Sequence, residues 1–261
     1  MTQTLITSNG TLITQSIDHI KKHQPKDGYY LAFSGGKDSI VCYDLLEKAG
    51  VDFEAHHAIT SIDPKEVGIF LRKYYPEVER HHPTYKGEPT NFYKLVSMKG
   101  LPNRHVRWCC AYLKEVGGTG RTVVTGVRRA ESNKRSGRLV YQKFGNKNIL
   151  NPIVDWKDND VWDLIHDNEL PYPSLYDNGH DRIGCILCPL KCVHKRIRDY
   201  YEHPAHVRAL ERAIEIFLST RPESGLWNWG STPKEIILSW VTSTPTTDES
   251  GQCNLEGVTS E

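Results

Sequence analysis

A glycine-rich segment at residues 33–39, Phe-Ser-Gly-Gly-Lys-Asp-Ser, limits sharply the folds that this chain can adopt. An apolar run from Tyr29 to Phe33 precedes it, and a helical pattern from Ile40 to Ala49 follows it. The segment is therefore predicted to be a loop between a strand and a helix. In that arrangement successive backbone N–H groups turn toward one point at the helix N-terminus and hold an anion there.

The residue types in the loop suit a phosphate ligand. Gly35 and Gly36 permit backbone angles and a close approach that a side chain would prevent. Lys37 adds a cation, and the two serines, Ser34 and Ser39, add hydroxyl donors. The spacing is too short for the GxxxxGK[ST] loop, so the segment is a different kind of phosphate loop.

The pattern beyond the loop alternates between strands and helices. Further strands are predicted at residues 53–59, 78–82 and 121–125. Between the first two of these, a capping signal at residues 63–66 begins a helix that ends before Pro76. Such alternation predicts an α/β fold, with a Rossmann-like parallel sheet and helices on both faces.

The remainder of the chain contains predicted helices and a polar C-terminal segment. Helices are predicted at residues 13–23, 158–168, 193–219 and 232–241. From residue 243 the sequence is polar and acidic with almost no apolar residues, which is typical of a disordered tail. The predicted organisation is an arm and short helix at 1–26, a nucleotide-binding α/β domain at 27–168, a cysteine-cluster and helical segment packed on it at 169–242, and the tail at 243–261.

Composition narrows the setting in which the protein works. The 261 residues carry a net charge of +1, so no overall field recruits nucleic acid or a membrane. No stretch approaches the ~18 apolar residues of a membrane span, and the N-terminus lacks the apolar region of a signal peptide. We therefore expect a cytoplasmic protein with no membrane partner.

Seven cysteines, an odd number in a chain without an export signal, favour a metal or redox site over a disulfide scaffold. Cys109 and Cys110 are adjacent, and Cys185 and Cys188 form a CxxC pair. Four thiolates suit zinc and an iron–sulfur cluster equally well. Cys192 is an alternative ligand that could replace one of the adjacent pair. The helical pattern around Cys42 predicts a core thiol, and Cys253 lies in the predicted tail.

A basic stretch runs from Arg104 to Lys147, with eleven Lys and Arg residues against two acidic ones. Within it, residues 125–132 follow a predicted strand and would lie at the same sheet edge as residues 34–39, because ligands bind beyond the carboxyl ends of parallel strands. Arg128 and Arg129 are placed to bind an anionic group at that edge.

Four segments together resemble the ATP-pyrophosphatase and phosphoadenosine-phosphosulfate (PAPS) reductase superfamily. In chain order they are SGGKDS, TGVRRAES, NPIVDW and LYDNGHDRIGCILCP. The resemblance covers about residues 27–190 and implies an adenine nucleotide alpha-hydrolase-like fold. On this basis the predicted catalytic residues are Lys37, Asp38 and Arg128, the predicted nucleotide-binding residues are Ser34, Gly35, Gly36, Lys37, Asp38, Ser39, Gly126, Arg128 and Arg129, and the predicted metal ligands are Cys109, Cys110, Cys185 and Cys188.

The resemblance also implies cofactors and partners. It favours a [4Fe–4S] cluster on the four thiolates, with zinc as the alternative, together with ATP and Mg²⁺. The implied reaction is adenylation of an anionic acceptor, such as DNA or tRNA, followed by sulfur transfer from a donor such as a cysteine desulfurase. A homodimer is left open.

Two departures from the reductases matter. Their phosphate loop is degraded, whereas the loop at residues 34–39 is intact, as in the ATP-cleaving relatives. Their nucleophilic cysteine is followed by a histidine in the tail, whereas Cys253 has acidic neighbours and no histidine after it. Reduction of PAPS or adenylylsulfate with Cys253 as nucleophile is the second interpretation, and a cluster-bearing nucleotide-binding subunit without turnover is the third.

Overall fold

A computed structural model describes residues 8–243, apart from the side chains of Ser8, Asn9 and Lys134. The first seven residues of the predicted arm lie outside the described residues. The predicted tail beyond residue 243, with Cys253, also lies outside them.

The described chain contains short strands and longer helices. The strands are β1 (Tyr29–Ala32), β2 (Phe53–Ala58), β3 (Glu79–His81), β4 (Thr84–Tyr85), β5 (Glu88–Pro89), β6 (Thr122–Val124), β7 (Tyr141–Phe144) and β8 (Lys147–Leu150). The helices are α1 (Ser8–Lys22), α2 (Lys37–Ala49), α3 (Lys65–Tyr74), α4 (Phe92–Lys99), α5 (Trp108–Leu113), α6 (Asp158–Asp167), α7 (Val193–Glu202), α8 (Pro204–Thr220) and α9 (Pro233–Thr242).

The chain forms two compact units that interleave in sequence. Unit 1 contains the chain up to Ala58, Lys65–His81 and Val116–Ile183. Unit 2 contains Ile59–Pro64, His82–Glu115 and the chain from Gly184 onward. This division differs from the predicted boundary between residues 168 and 169, because the segment around α4 and α5 shares its apolar core with the C-terminal helices.

Unit 1 is built on a six-stranded sheet in the order β3-β2-β1-β6-β8-β7. Every pairing is parallel except that of β7 with β8. The predicted α/β class, with helices on both faces of a mostly parallel sheet, is confirmed. The strands predicted at 53–59, 78–82 and 121–125 correspond to β2, β3 and β6. The hairpin of β7 and β8 was not predicted, because the edge strand β7 is partly exposed and carries no buried apolar run.

The core of unit 1 forms between the sheet and its helices. Leu31, Ile40, Leu45 and Leu150 are fully buried in it. Cys42 is also fully buried there, in the core position expected of a structural thiol. Helix α2 ends at Ala49, and the following Gly50 has a φ of 64°, in the left-handed region that glycine adopts without strain.

The core of unit 2 is helical. Leu95 of α4, Leu210 and Ile214 of α8, and Ile237 of α9 are fully buried in it. The helix predicted over residues 193–219 is wrong as a single element: α7 ends at Glu202 and α8 begins at Pro204. Proline at the first helical position cannot donate the backbone hydrogen bond that would continue α7.

Across the part of the chain that the structure describes, no helix has both the length and the apolar character needed to cross a bilayer.

Candidate functional site

The predicted phosphate loop connects β1 to α2 in unit 1. Gly35 has a φ of +77°, and a Cβ there would lie 3.3 Å from Val67 Cγ1. Gly36 precedes the first residue of the helix, and its carbonyl accepts the N–H groups of Ser39 at 3.0 Å and Ile40 at 3.1 Å. The chain therefore enters α2 with the N–H groups of the loop gathered at the helix N-terminus.

Hydroxyl groups fix the loop in place. The Oγ atoms of Ser34 and Ser39 are 3.2 Å apart, and the N–H of Gly36 donates to Ser34 Oγ at 3.3 Å. The N–H of Lys37 donates to the phenol oxygen of Tyr176 at 2.9 Å. Two hydroxyl oxygens, those of Ser34 and Tyr176, thus accept loop N–H groups that can also donate to phosphate oxygens.

The charged side chains of the loop form a compact ion-pair network. Lys37 Nζ lies 3.1 Å from Asp158 Oδ1 and 3.6 Å from Asp38 Oδ2. Arg128 Nε donates to Asp38 at 2.6 Å, and its Nη2 donates to Asp158 at 2.8 Å. The side chains of Lys37 and Arg128 are each 4% exposed. The two cations and two carboxylates therefore compensate one another within the protein.

This network bears on the roles predicted for the two arginines. Arg128 joins Asp38 to Asp158, so in this geometry it orders the loop. Arg129 donates to the carbonyl of Arg138 at 2.7 Å and forms an ion pair with Asp155. Direct contact of either arginine with a nucleotide stays a prediction.

Gly126, another predicted nucleotide-binding residue, has a packing role in the structure. A Cβ at this position would lie 2.8 Å from the carbonyl carbon and from the Cβ of Asp38. Only glycine lets the residues after β6 approach the first turn of α2 this closely.

A surplus of positive charge surrounds the network. Arg135 forms an ion pair with Glu131, and Arg182 Nη1 lies 3.6 Å from the same carboxylate. Burial, followed by the charges of Arg182, Arg138 and Arg128, lowers the pKa of Arg135 to about 10, although Asp38 opposes this shift. An anion bound among these guanidinium groups would relieve that repulsion.

Sequence reasoning missed two residues of this site. Asp158 lies in the first turn of α6, and Tyr176 lies in the loop that follows that helix. The Asp-rich start of α6 is a sequence signal for the first, although this pattern alone predicts only the beginning of a helix. Tyr176 lies in the segment LYDNGHDRIGCILCP of the family resemblance, but no spacing rule predicts its role, because its hydroxyl reaches Lys37 only through the fold.

The four predicted metal ligands all belong to unit 2. Cys109 and Cys110 lie in the short helix α5, whereas Cys185 and Cys188 lie in an irregular turn. That turn is held at its centre: the N–H of Ile186 donates to the carbonyl of Ile62 at 2.7 Å. The structure thus brings both cysteine pairs into one compact unit.

A buried carboxylate supports the CxxC turn. Leu187, between the two cysteines, has a φ of 55°, and its N–H donates to Asp199 Oδ2 at 2.8 Å. Lys191 Nζ donates to the same oxygen at 2.7 Å. Since a non-glycine residue rarely adopts a positive φ, Asp199 of α7 helps to maintain the shape of the turn.

The thiols interact electrostatically with one another. A hydrogen bond with Cys109, followed by the hydrogen bond and charge of Arg107 and the charge of Lys114, lowers the pKa of Cys110 although burial opposes this shift. Arg107 Nη2 donates directly to Cys110 Sγ at 3.1 Å. The same hydrogen bond raises the pKa of Cys109, and so do burial and the charges of Cys110, Cys185 and Cys188.

Lys114 adds a second cation beside the thiols. Its Nζ lies 3.7 Å from Asp63 Oδ1. Burial alone would lower the pKa of Lys114, yet Cys185 and Asp63 raise it overall. Burial raises the pKa of Cys185 to about 11 despite this lysine. Four thiols with two cations fit a metal centre that needs several thiolates, because the cations offset the negative charge.

Cys192 has different surroundings. It is buried at the N-terminus of α7, and its Sγ lies 3.5 Å from His194 Nε2. The choice between Cys192 and one of the pair Cys109 and Cys110 as a ligand stays a prediction.

Comparison with known proteins identifies the family. The sequence profile of the phosphoadenosine phosphosulfate reductase domain matches residues 28–191. The chain belongs to the PAPS reductase domain family. This match covers the phosphate loop, the network around Lys37 and all four predicted metal ligands.

Relatives of this PAPS reductase family member fall into two groups. An uncharacterized protein of Methanocaldococcus jannaschii is 32% identical over 220 residues, which is 78% of this chain and 52% of the relative. A PAPS reductase of Xanthomonas oryzae is 41% identical over 63 residues, which is 24% of this chain and 26% of the relative. The chain thus spans about half the length of the first of these curated relatives.

Solved structures support the fold. The FMN adenylyltransferase of Candida glabrata, in complex with FAD and inorganic pyrophosphate, superposes with a TM-score of 0.51 at 12% identity. The match covers 71% of this chain and 66% of that chain. At this identity the similarity concerns the fold alone.

Proposed function

We propose that this protein is an ATP pyrophosphatase of the PAPS reductase family that adenylates an acceptor for sulfur transfer. The observation that carries the proposal is the complete phosphate loop, with Lys37 buried beside Asp158 and extra guanidinium groups around it. A sulfonucleotide without a pyrophosphate group leaves such a loop without a role.

The residues around the loop have separate roles in the proposed reaction. An acceptor oxygen attacks the α-phosphorus of ATP, the bond to the β-phosphate oxygen breaks, and pyrophosphate leaves. The loop N–H groups and Lys37 bind the leaving pyrophosphate, whose negative charge grows as the bond breaks. Arg128 holds Asp38 and Asp158, so that Lys37 stays aimed at the loop.

Mg²⁺ enters this scheme as part of the MgATP substrate, bound mainly to phosphate oxygens. Asp38 is already paired with Arg128, which supports an ordering role for it. Asp158 is more than half exposed, so water can solvate its carboxylate when Lys37 leaves it to bind the phosphates of the incoming nucleotide.

We propose Cys109, Cys110, Cys185 and Cys188 as the ligands of a [4Fe–4S] cluster, with zinc as the alternative. Three observations support this ligand set. All four cysteines belong to unit 2, their thiols affect one another electrostatically, and the cations Arg107 and Lys114 lie beside them. A bound cluster would supply an iron for sulfur only if one of the four thiolates were displaced from its iron. The acceptor in this proposal is anionic, DNA or tRNA. The sulfur comes from a donor such as a cysteine desulfurase, and an external thiol reductant brings it to the sulfide level. It then forms a bond to the activated atom of the acceptor as the bond to the adenylated oxygen breaks and AMP leaves.

Pyrophosphate release tests the proposal directly. Protein purified without oxygen is incubated with MgATP, a sulfur donor and candidate nucleic acids, and pyrophosphate and thiolated product are measured together. We expect pyrophosphate release that rises when the right acceptor is present. Binding of ATP with no pyrophosphate under any condition would support the third interpretation, a nucleotide-binding subunit without turnover.

The similarity to a PAPS reductase of Xanthomonas oryzae favours sulfonucleotide reduction as the second candidate. Its test is sulfite formation from PAPS or adenylylsulfate with thioredoxin, in the full chain and in Cys253→Ser. Sulfite that disappears in this variant would replace the leading proposal.

The structure also fixes where the tail can be removed for that test. A cut after Trp240 would delete Val241, which is fully buried, and Ser243, whose hydroxyl lies 3.4 Å from Arg196 Nη1. A cut after Ser243 keeps both contacts. We expect a chain that ends there to keep nucleotide hydrolysis.

A further inference from the structure

A second group of metal-ligating side chains lies on strands β2 and β3 of unit 1. One donor atom from each of His56, Glu79 and His81 lies within 4.8 Å of the other two. His56 is paired in register with Glu79, and His81 follows two residues further along β3. Side chains two residues apart on a strand point to the same face, so strand pairing itself brings the three donors together.

The distances between these donors are close to those of a metal site. His56 Nδ1 lies 2.8 Å from His81 Nε2 and 3.3 Å from Glu79 Oε2. Two imidazole nitrogens that face each other either share one proton or both direct lone pairs at a cation. In tetrahedral zinc sites the ligand nitrogens are about 3.3 Å apart, so an opening of about 0.5 Å would admit the ion.

The other nitrogen of each ring has a carboxylate nearby. His56 Nε2 lies 3.5 Å from Glu54 Oε2, and His81 Nδ1 lies 3.8 Å from Glu79 Oε1. Metal-ligating histidines commonly direct their second nitrogen at a carboxylate, which orients the ring. Tyr30 also stacks on His56, with ring centres 4.0 Å apart and planes 7° apart. The ring of His56 is therefore held in one orientation.

Exposure leaves the group accessible from solvent. His56 is 7% exposed, whereas the side chains of Glu79 and His81 are 65% and 42% exposed. Two imidazoles and one carboxylate favour a first-row transition ion over Mg²⁺, which prefers oxygen ligands alone. We propose that His56, Glu79 and His81 bind one divalent ion of the zinc class, at a site separate from MgATP and from the cysteines.

A metal ion at this site would link two strands of the sheet close to the phosphate loop. The backbone carbonyl of His56 accepts the N–H of Phe33, the residue just before Ser34, at 2.9 Å. A metal ion bound here would tie the edge strand β3 to β2 where β2 supports the start of the loop. Three protein ligands would leave a fourth position for water or a substrate oxygen.

Cobalt is the probe for this site, because its absorption differs between thiolate and nitrogen or oxygen ligands. The full chain, with its cysteine centre already reconstituted with iron and sulfide, is titrated with Co²⁺. We expect one further equivalent to bind, with ligand-field bands and no sulfur-to-cobalt charge transfer. His81→Ala should abolish this binding, and Glu79→Gln should weaken it at least about tenfold.

His82→Ala is the matched control, since His82 is exposed, adjacent in sequence and outside the group. It should bind cobalt as the wild type does. Three results would each overturn the proposal: equal binding by the wild type and His81→Ala, a spectrum with thiolate bands only, or no bound cobalt. The short distance between the rings of His56 and His81 would then be explained by a shared proton.

Thermal unfolding gives a second measurement that does not depend on activity. Zn²⁺ should raise the Tm of the reconstituted wild type and of His82→Ala, but not that of His81→Ala, because a ligand stabilises only a protein that binds it. His81→Ala removes a partly exposed side chain, so its Tm without metal should stay near that of the wild type. An equal zinc-dependent rise in all three proteins would contradict the site.

Discussion

The phosphate loop and the cysteine centre both gather cations around a target that carries negative charge, but they do so differently. Lys37 and Arg128 are almost completely buried and are paired with internal carboxylates. Arg107 and Lys114 have side chains that are 44% and 38% exposed, and they act on the thiols themselves. The cations of the loop are thus neutralised by carboxylates before any ligand binds, and they must leave these carboxylates to bind phosphates. In the cysteine centre the cations interact directly with the thiols that are the proposed metal ligands.

The largest effect is expected at the cysteine centre. Cys109→Ser and Cys185→Ser should each lose nearly all bound iron and sulfide in protein purified without oxygen, because each thiolate holds one iron and a serine hydroxyl is a weaker ligand for it. Iron, sulfide and zinc are measured on the same samples. Cys42→Ala is the control, since Cys42 is buried in the core of unit 1 and should not affect iron content.

The ligand choice is tested in the same experiment. If Cys192→Ser loses the metal while Cys109→Ser keeps it, the alternative set that contains Cys192 is correct. Stoichiometric zinc without iron in the wild type would exclude the cluster and leave the zinc alternative.

The next effect concerns catalysis at the loop. Lys37→Ala should reduce the rate of pyrophosphate release on the order of 100-fold, the effect of removing one preorganised group that stabilises developing charge. Lys48→Ala is the matched control on the same helix, where Lys48 pairs with Asp44 at 2.7 Å on the surface. Equal rates of pyrophosphate release by Lys37→Ala and the wild type would show that the loop lysine does not take part in the reaction.

A smaller effect is expected on stability. Arg128→Ala leaves Asp38 and Asp158 without their shared cation, and we expect a loss of about 2–3 kcal/mol in the free energy of unfolding. The value lies below that of a fully buried pair because Asp158 is more than half exposed. Arg129→Ala, which breaks a more exposed pair with Asp155, should cost less than about 1 kcal/mol.

Urea unfolding of the two arginine variants measures that difference. Equal losses would mean that the buried network contributes no more than a surface pair, and the contrast between the loop and the cysteine centre would weaken.

The smallest effect is expected from Tyr176→Phe. This change removes the hydroxyl that accepts the N–H of Lys37 and keeps the ring. A hydrogen bond of this kind contributes about 1 kcal/mol, and its loss frees the N–H of Lys37 for a phosphate oxygen. The KM for ATP should therefore fall by about fivefold, while the iron content stays constant. Tyr172→Phe, a nearby change to a tyrosine whose hydroxyl contacts Asp177, is the control and should leave the KM unchanged.

The sequence predicted the contiguous residues of the phosphate loop but not the distant residues that contact it. The loop at residues 34–39 was recognisable because its donors are contiguous and its flanks have clear periodicity. The partners of the loop were not, because Asp158 and Tyr176 reach Lys37 only after the sheet has formed. A basic run likewise cannot reveal that Arg128 is buried between two carboxylates.

The fold shows the same limit. The strands with buried apolar residues were predictable, whereas the charged edge strand β7 was not. The sequence also placed Cys109 and Cys110 in the α/β domain, because they precede β6 in the chain. Their assignment to unit 2 depends on packing of α4 against α8, elements that no local pattern connects.

The interleaving of the two units has a consequence for synthesis of the protein. Unit 1 needs residues up to Ile183, and unit 2 needs α9, so neither core can close on an emerging chain that stops at residue 168. Contacts between segments far apart in sequence slow folding and leave apolar surface exposed in the meantime. The nascent chain should therefore depend on chaperones until most of it has left the ribosome, and fragments expressed from a single cut should aggregate.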